Sequence, residues 1–196
     1  MNRRGFLALL LAGGAAACQG GPPASRLPRL TFNHLTPLRL GVGTLAVEAG
    51  DAGAPDMPEK ARNVGFLAPV APADAAARWA RARLNAAGGD AEATFTVTTA
   101  GVFVRRLTPK EGVEGFFTDE PGERYTAVLA GRLHITGPRA RGTVTARAEH
   151  SKEVAESATL NERERAQFDL VEDLLADFDA EMVQQIKKHL DRWLAV

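Results

Sequence analysis

Large apolar residues recur along the last quarter of the chain at the spacing of one face of a long α-helix. From Phe168 onward every step along this stripe is three or four residues, as the helical period requires. Its members are Leu160, Phe168, Val171, Leu175, Phe178, Met182, Ile186, Leu190 and Trp193. Such a helix is not stable alone in water, because burial of each large side chain contributes up to about 1.5–3 kcal/mol. The rest of the chain must therefore supply a surface about ten turns long.

The start and the end of this helix carry their own signals. Thr159 stands three residues before Glu162, the spacing of a capping box in which each side chain bonds a free backbone N–H of the first turn. Acidic residues crowd the early turns and basic residues the last ones, as the helix dipole favours. We therefore predict a helix over 159–194, with Phe178 in the core and Asp179 on the solvated, charged side.

Composition bounds the classes of protein that this chain can belong to. Hydrophobic residues make up 45% of its 196 residues, which is enough for one domain with a proper core. Without Arg3 and Arg4 the chain has 22 basic and 24 acidic residues, a net charge of −2. This balance gives no electrostatic case for a nucleic-acid partner. A single cysteine excludes a disulfide framework and a multi-cysteine zinc site.

The N-terminus has the order of a secretory signal peptide. Arg3 and Arg4 precede an apolar run that ends in small residues and is too short to span a bilayer. The two arginines resemble a twin-arginine export pattern, and residues 15–18 resemble a bacterial lipobox. We therefore predict a lipoprotein signal peptide over 1–17 and acylation of Cys18. The alternative is a soluble exported protein whose Cys18 is unmodified.

The segment after Cys18 is predicted to tether a single domain to a membrane. Residues 18–30 are rich in Gly and Pro and form the tether, and the domain occupies residues 31–196. The residue after Cys18 is Gln19, whereas an Asp at this position would resemble a signal for retention in the inner membrane. We therefore predict anchoring on the periplasmic side of the outer membrane, with inner-membrane anchoring or a soluble periplasmic location as alternatives.

Alternating apolar residues predict four strands, over 38–49, 93–107, 125–135 and 143–149. Pro72 opens a first helix, Trp79 anchors it in the core, and Gly88 and Gly89 end it. A bulge is expected near Gly101, because the alternation of apolar and polar residues no longer shows there which side of the strand faces the core. The fold class is therefore α+β, with a two-layer arrangement of a four-stranded, mainly antiparallel sheet and two helices on one face, in the order βαβββα.

The sequence shows no catalytic or ligand-binding motif. The four histidines share no ligand spacing, no serine stands in a nucleophile elbow, and no Gly-rich phosphate loop opens a helix. Glu123 follows Pro121 and Gly122, which predicts an exposed turn with a solvated carboxylate. We therefore predict a protein that is not an enzyme and that has no metal site and no cofactor.

Two apolar islands lie in predicted loops. Phe116 and Phe117 are adjacent between glycines, so in extended chain their side chains point in opposite directions. Phe66 and Leu67 form a second island within the loop over 49–71. One interpretation is that these side chains fold back onto the core. The other is that they contact a lipid or a partner protein.

The lipidated Cys18, the order βαβββα and the long closing helix after the polar run 157–162 together resemble a known family. The chain resembles the lipoprotein partner of the outer-membrane lipopolysaccharide translocon, and it is similar in architecture to auxiliary lipoproteins of lipid-transporting ABC systems. The resemblance covers nearly all of the mature chain and rests on topology. It implies an α+β periplasmic lipoprotein that assembles with an envelope complex.

Two functions are therefore expected. The first is a non-catalytic, lipid-anchored periplasmic adaptor or scaffold in lipopolysaccharide or lipid transport and assembly. Its partners would be the membrane, through acylated Cys18, and an envelope protein complex. The alternative is a lipid- or small-ligand-binding auxiliary module of an ABC transport system. A roomy apolar cavity between the sheet and the helices would favour the alternative, whereas a solid core would favour the adaptor.

Overall fold

A computed structural model describes residues 27–48, 61–65, 68–108 and 121–195. The protein combines two helices with a mixed sheet, and is α+β as the sequence predicts. The elements in chain order are β1 (Leu38–Leu40), β2 (Thr44–Glu48), β3 (Arg62–Asn63), α1 (Pro72–Arg83), β4 (Leu84–Ala86), β5 (Glu92–Arg106), β6 (Pro121–Thr136), β7 (Arg141–Ala155) and α2 (Leu160–His189), followed by a 3-10 turn (Asp191–Trp193). Neither α1 nor α2 is apolar enough over sufficient length to cross a bilayer.

The main sheet has five strands, so the prediction of four mainly antiparallel strands is correct only in part. β5, β6 and β7 form the predicted antiparallel meander, and each strand is about fifteen residues long. On the other edge of β5, β2 pairs in parallel with one end and β3 pairs antiparallel with the other. β3 lies within the segment that was predicted to be a loop.

The predicted first strand is split in two at Gly41–Gly43, and the halves join different sheets. β1 pairs in parallel with β4 in a separate two-stranded sheet, whereas β2 joins the main sheet. The split allows a close approach of two chain segments: a Cβ on Gly43 would lie 2.5 Å from the carbonyl oxygen of Gly89. Gly89 itself has φ = 129°, a conformation that favours glycine. These glycines therefore serve tertiary packing.

Helix α1 is shorter than predicted, because residues 84–86 form β4. The helix begins at Pro72, as expected, but its C-cap residue Leu84 is extended, with φ = −101° and ψ = 126°. Leu84 is 1% exposed and lies opposite Leu38 in the small sheet. Pairing with β1 and burial of Leu84 override the helical propensity of this segment.

The bulge in β5 lies between Val97 and Thr99, so the prediction of a bulge near Gly101 was wrong in position. Before the bulge Phe95 and Val97 face the helices, and after it Val102 and Val104 do so. Gly101 has a different role, because a Cβ there would lie 2.7 Å from the ring of Phe103 on the opposite face of the sheet. The missing side chain makes room for that ring.

Helix α2 confirms the long amphipathic helix and its capping box. Thr159 accepts a hydrogen bond from the backbone N–H of Glu162, whose carboxylate accepts one from the backbone N–H of Thr159 at 2.8 Å. The α-helix stops at His189, earlier than predicted, and the chain turns so that Leu194 forms a bridge with Leu40. Leu160 is 73% exposed, so its assignment to the buried stripe was wrong.

Side chains fill the layer between the sheet and the two helices. Trp79 of α1, Phe95 of β5 and Phe178 of α2 are each 0% exposed. Their ring centroids lie 5.1 to 6.3 Å apart, in tilted and edge-on arrangements that are favourable for aromatic pairs. Gly131 of β6 lies beneath them, where a Cβ would be 2.9 Å from the Phe178 ring. This aromatic cluster is the centre of the core.

Candidate functional site

The residues that the sequence singles out for function lie outside the described part of the chain. They are the predicted lipidation site Cys18 and the predicted contact residues Phe66, Leu67, Phe116 and Phe117. Gly65 and Ala68, on either side of Phe66 and Leu67, are described. Val64 donates a backbone hydrogen bond to Val102 at 2.8 Å, which joins this segment to β5. These five assignments remain predictions.

Asp179 joins the two helices, contrary to the prediction that it lies on the solvated side of α2. Its Oδ1 accepts hydrogen bonds from the indole Nε1–H of Trp79 and from the Nε–H of Arg83, both at 2.8 Å. The side chain of Asp179 is 16% exposed and that of Arg83 is 11% exposed. A buried indole N–H and a buried guanidinium both require an acceptor, and Asp179 supplies it. This group is a structural link between α1 and α2.

A second polar cluster lies at the first turn of α2. Arg163 of α2 donates to the carboxylate of Glu123, which also accepts the phenol O–H of Tyr125 at 2.9 Å. Arg163 also donates to the backbone carbonyl oxygens of Ala158 and Glu156, each at 3.0 Å. The prediction of a solvated Glu123 in an exposed turn was wrong, because β6 begins at Pro121 and carries this carboxylate under α2.

A surface groove of about 540 Å³ lies where the described chain begins. Its walls come from four parts of the fold, namely the segment Leu27–Thr31, the segment Pro69–Ala71, Asp74 and Arg78 of α1, and Phe168 of α2. Apolar side chains form much of the lining, and Arg29, Arg78 and Asp74 supply the charge. The groove lies beside the aromatic core and does not enter it. Its chemistry suits an acyl chain or an apolar peptide with a charged end.

A smaller groove of about 360 Å³ lies at the far end of the molecule. It is lined by the turn after β6, by Asp90 and by the C-terminal residues Arg192 and Trp193. The guanidinium of Arg192 lies 5.4 Å from the centroid of the Trp193 ring, a cation–π distance. Its arginines are exposed, and Asp90 lies in the same lining, so the groove has no marked preference for anions.

The face of the sheet opposite the helices is polar over most of its length. His134 hydrogen-bonds Thr143 at 2.7 Å and Thr136 at 2.9 Å, and Thr126 hydrogen-bonds Ser151 at 2.9 Å. Arg132 projects from β6 in the same region and is exposed. No described helix lies on this face. It offers a broad surface of hydroxyl, imidazole and guanidinium groups for a polar partner.

Among the described residues, the capping carboxylate of α2 has a pKa clearly below its usual value. Hydrogen bonds from the backbone and then the side chain of Thr159 hold the pKa of Glu162 below its usual value of 4.5, which is a property of the helix cap. No group of three or more His, Cys, Asp or Glu side chains in these residues is arranged to hold a metal ion. Every buried side-chain nitrogen and oxygen among them has a hydrogen-bond partner.

The two partly buried ionic links show what sequence patterns do not reveal. Asp179 follows Phe178 on α2, at the border between the apolar face and the charged face of the helix. The periodic pattern alone does not show which charged side chains at this border are removed from solvent. The one available signal was Trp79, because a buried indole usually bonds an acceptor. Nothing in the sequence connects Glu123 with Arg163, forty residues away.

Comparison with known proteins connects the chain to no family. No protein-family model matches the sequence, and no curated protein is significantly similar to it. The resemblance to the lipoprotein partner of the lipopolysaccharide translocon therefore stays a prediction, and function is inferred from the geometry of the chain's own residues.

Proposed function

We propose that this chain is a non-catalytic periplasmic lipoprotein, anchored through acylated Cys18, that acts as an adaptor or scaffold in lipopolysaccharide or lipid transport and assembly. The observation that carries the proposal is the filled layer between the sheet and the helices. Trp79, Phe95 and Phe178 occupy the space that a ligand-binding module of this shape would keep open. A protein with a filled interior acts through its surface, and both the polar sheet face and the groove beside Leu27 supply such surface.

The position of Leu27 is compatible with a membrane anchor. Nine residue steps separate Cys18 from Leu27. At most about 3.5 Å per residue, the groove beside Leu27 would lie within roughly 30 Å of the bilayer surface. One acyl chain holds a protein only marginally, and stable anchoring needs more than one. A diacylated and N-acylated Cys18 would meet that need and would hold the domain next to the membrane.

Anchoring is tested by the substitution Cys18→Ser in the full chain. The variant is expected to move from the membrane fraction to the soluble periplasm and to lose incorporation of labelled palmitate. Ser25→Ala, in the same predicted tether, is the control and should stay with the membrane. An unchanged distribution of Cys18→Ser between the fractions would remove lipidation from the proposal.

The adaptor role is tested by crosslinking in the native host, followed by purification of the full chain. An envelope protein complex is expected among the crosslinked products. The double substitution Phe116→Ser and Phe117→Ser is expected to reduce this crosslinking without lowering the melting temperature. Leu160→Ser is the control, because Leu160 is a large apolar side chain that is 73% exposed on α2. The adaptor proposal fails if the parent chain crosslinks to no envelope protein.

The groove of about 540 Å³ favours a second candidate, the lipid- or ligand-binding auxiliary module. Its volume is in the range of small-molecule sites, and its apolar lining carries Arg29 and Arg78. A fluorescent phospholipid is the probe. If this candidate is right, the full chain binds the probe and Val70→Trp, which fills the groove, weakens binding. Equal binding by the parent and this variant would rule out the groove as the binding site.

A further inference from the structure

The outer edge of β7 has no strand beside it in the described structure. β7 is the last strand in the order β2-β5-β6-β7, and its only described neighbour is β6. The backbone hydrogen bonds found outside regular elements include none from residues 141–154. Along fifteen residues, about 50 Å, the outward N–H and C=O groups of β7 therefore have no strand beside them among the described residues.

Helix α2 leaves this edge accessible. Asp179 faces α1, where it bonds Trp79, whereas Asp177 bonds the inward-facing His150 of β7 at 2.6 Å. Residues two apart on a helix point in nearly opposite directions, so α2 lies between α1 and His150. The side chain of His150 therefore lies on the side of α2 that faces away from α1. The outer edge of β7 lies farther from α1 than this side chain. Consistent with this position, the side chain of Asp177 is 62% exposed.

The charges of β7 are self-complementary. In an antiparallel pair of identical strands, the register that uses all of Arg141–Ala155 has its two-fold axis at Ala148. That register places Arg147 opposite Glu149 of the second copy, and the symmetry produces the same pair again. Moving the axis by one residue in either direction would place Arg147 opposite Arg147, or Glu149 opposite Glu149, which is destabilising.

We propose that two copies of this chain associate through β7, in antiparallel register about a two-fold axis at Ala148, to form one continuous sheet. The interface is isologous, so each contact occurs twice. Opposite-charge pairs between Arg147 and Glu149 fix the register on the polar face. Next to them, Thr145 lies opposite Ser151 of the second copy, and no two like charges lie directly opposite each other along the strand.

The side chains on the inward face of β7 are also compatible with this register. His150 and Lys152 project inward, and charges at such positions ordinarily protect an edge strand from pairing. Here they are held by α2, since His150 bonds Asp177 at 2.6 Å and Lys152 donates to Asp169 at 3.1 Å. In the proposed register they lie opposite the small Ala146 and the apolar Val144 of the second copy.

The two α2 helices would lie side by side across the axis. Helix α2 packs mainly on β7 and, over a smaller area, on β6 of its own sheet. Packed helices are typically separated by 8–10 Å, and the proposed dimer requires this separation between the two copies of α2. The continuous sheet and the helix pair would form one interface.

The test is sedimentation equilibrium of the full chain in a density-matched mild detergent, over a roughly hundredfold concentration range. The parent chain is expected to show a dimer whose dissociation constant rises with salt, because exposed ion pairs are screened. R147E or E149R alone should weaken dimerisation about tenfold or more, because two attractive pairs become repulsive. The double variant R147E/E149R restores the opposite-charge pairs with reversed sense and should restore the dimer.

Controls separate the edge from other causes of association. Both side chains are slightly more than half exposed, so each variant should keep the parent's melting temperature at concentrations low enough for the parent to be monomeric. R132E, on the same polar face but one strand inside the edge, should dimerise like the parent. A monomeric parent chain, a dimer unaffected by the single variants, or a failure of the double variant to restore it would each overturn the proposal. The measurement uses neither a membrane nor a partner protein, so its outcome is independent of the proposed adaptor role.

Discussion

Asp179 shows how much one carboxylate can contribute when its partners are buried. It accepts hydrogen bonds from Trp79 and Arg83, and both of these partners belong to the other helix. Breaking a buried pair by removing one member costs more than the pair itself contributes, because the remaining charge or N–H loses its acceptor. For a single charged residue, the exposure of the side chain and of its partners therefore decides how much the residue contributes to the free energy of unfolding.

Asp179→Ala is therefore expected to lower the free energy of unfolding by about 2–4 kcal/mol, measured by chemical denaturation. An exposed charge, as the sequence predicts for Asp179, would change stability by only about 0.5 kcal/mol. The matched control is Asp177→Ala, two positions away on the same helix and 62% exposed, which should change stability by less than about 1 kcal/mol. Equal effects of the two substitutions would contradict the link between the helices.

The helix cap at Glu162 predicts a small dependence of stability on pH. Because folding lowers the pKa of Glu162 from 4.5, its ionised form stabilises the native state at neutral pH. This stabilisation is lost as the pH falls below 4.5 and through the lowered pKa. The difference in melting temperature between the parent and Glu162→Gln should therefore shrink from about pH 7 to about pH 3. A difference that stays constant over this range would show that the cap charge does not contribute.

At the scale of elements, α2 is the structural support of the fold. Its apolar face covers β6 and β7, and the residues that follow it pack on the sheet because Gly142 leaves space for Leu190 and Trp193. The stripe that the sequence shows is buried from Phe168 to Leu190, whereas its first member, Leu160, is exposed. The middle of α2 should therefore be far more sensitive to substitution than its first turn.

Phe178→Ala should destabilise the protein by about 3–5 kcal/mol, because the ring is fully buried against Trp79, Phe95 and the backbone of Gly131. Leu160→Ala removes a large apolar side chain from the same helix at an exposed site and should be nearly neutral. Thermal unfolding of both variants measures the contrast. Nearly unchanged melting of Phe178→Ala would mean that α2 is a docking surface kept for a partner.

At the scale of the whole molecule, segments far apart in sequence meet at the small sheet. β1 pairs with β4, Leu194 bridges Leu40, and the backbone N–H of Ala195 donates to the carbonyl of Arg39 at 2.9 Å. The beginning, the middle and the end of the domain are thus held together. The C-terminal residues should therefore contribute to global stability.

Deletion of residues 194–196 should lower the free energy of unfolding by about 1–3 kcal/mol, because it removes the backbone hydrogen bonds from Leu194 to Asp191 and from Ala195 to Arg39, together with the packing of Leu194. It should also speed hydrogen exchange in β1 more than in β6. Deletion of Val196 alone is the control. If exchange in β1 is the same in both deletion variants, the C-terminal bridge does not hold the small sheet.

Local patterns in the sequence were enough to predict the elements whose formation depends on neighbours along the chain. The period of α2, its capping box at Thr159 and Glu162, the start of α1 at Pro72 and the antiparallel meander all follow from spacing and from turn or cap chemistry. These features are decided within a few residues, so the sequence alone shows them. The predicted contact residues and Cys18 lie outside the described structure and stay predictions.

Tertiary structure alone decided which segments pair. The residues of β4 favour a helix, but burial of Leu84 beside Leu38 makes them a strand. The parallel partner of β2 and the ionic link at Asp179 likewise depend on groups many residues away, and no local period encodes such a distance. Periodicity reports which face of an element is apolar. The partner of that face, and the charge at its border that becomes buried, are set only when the elements pack.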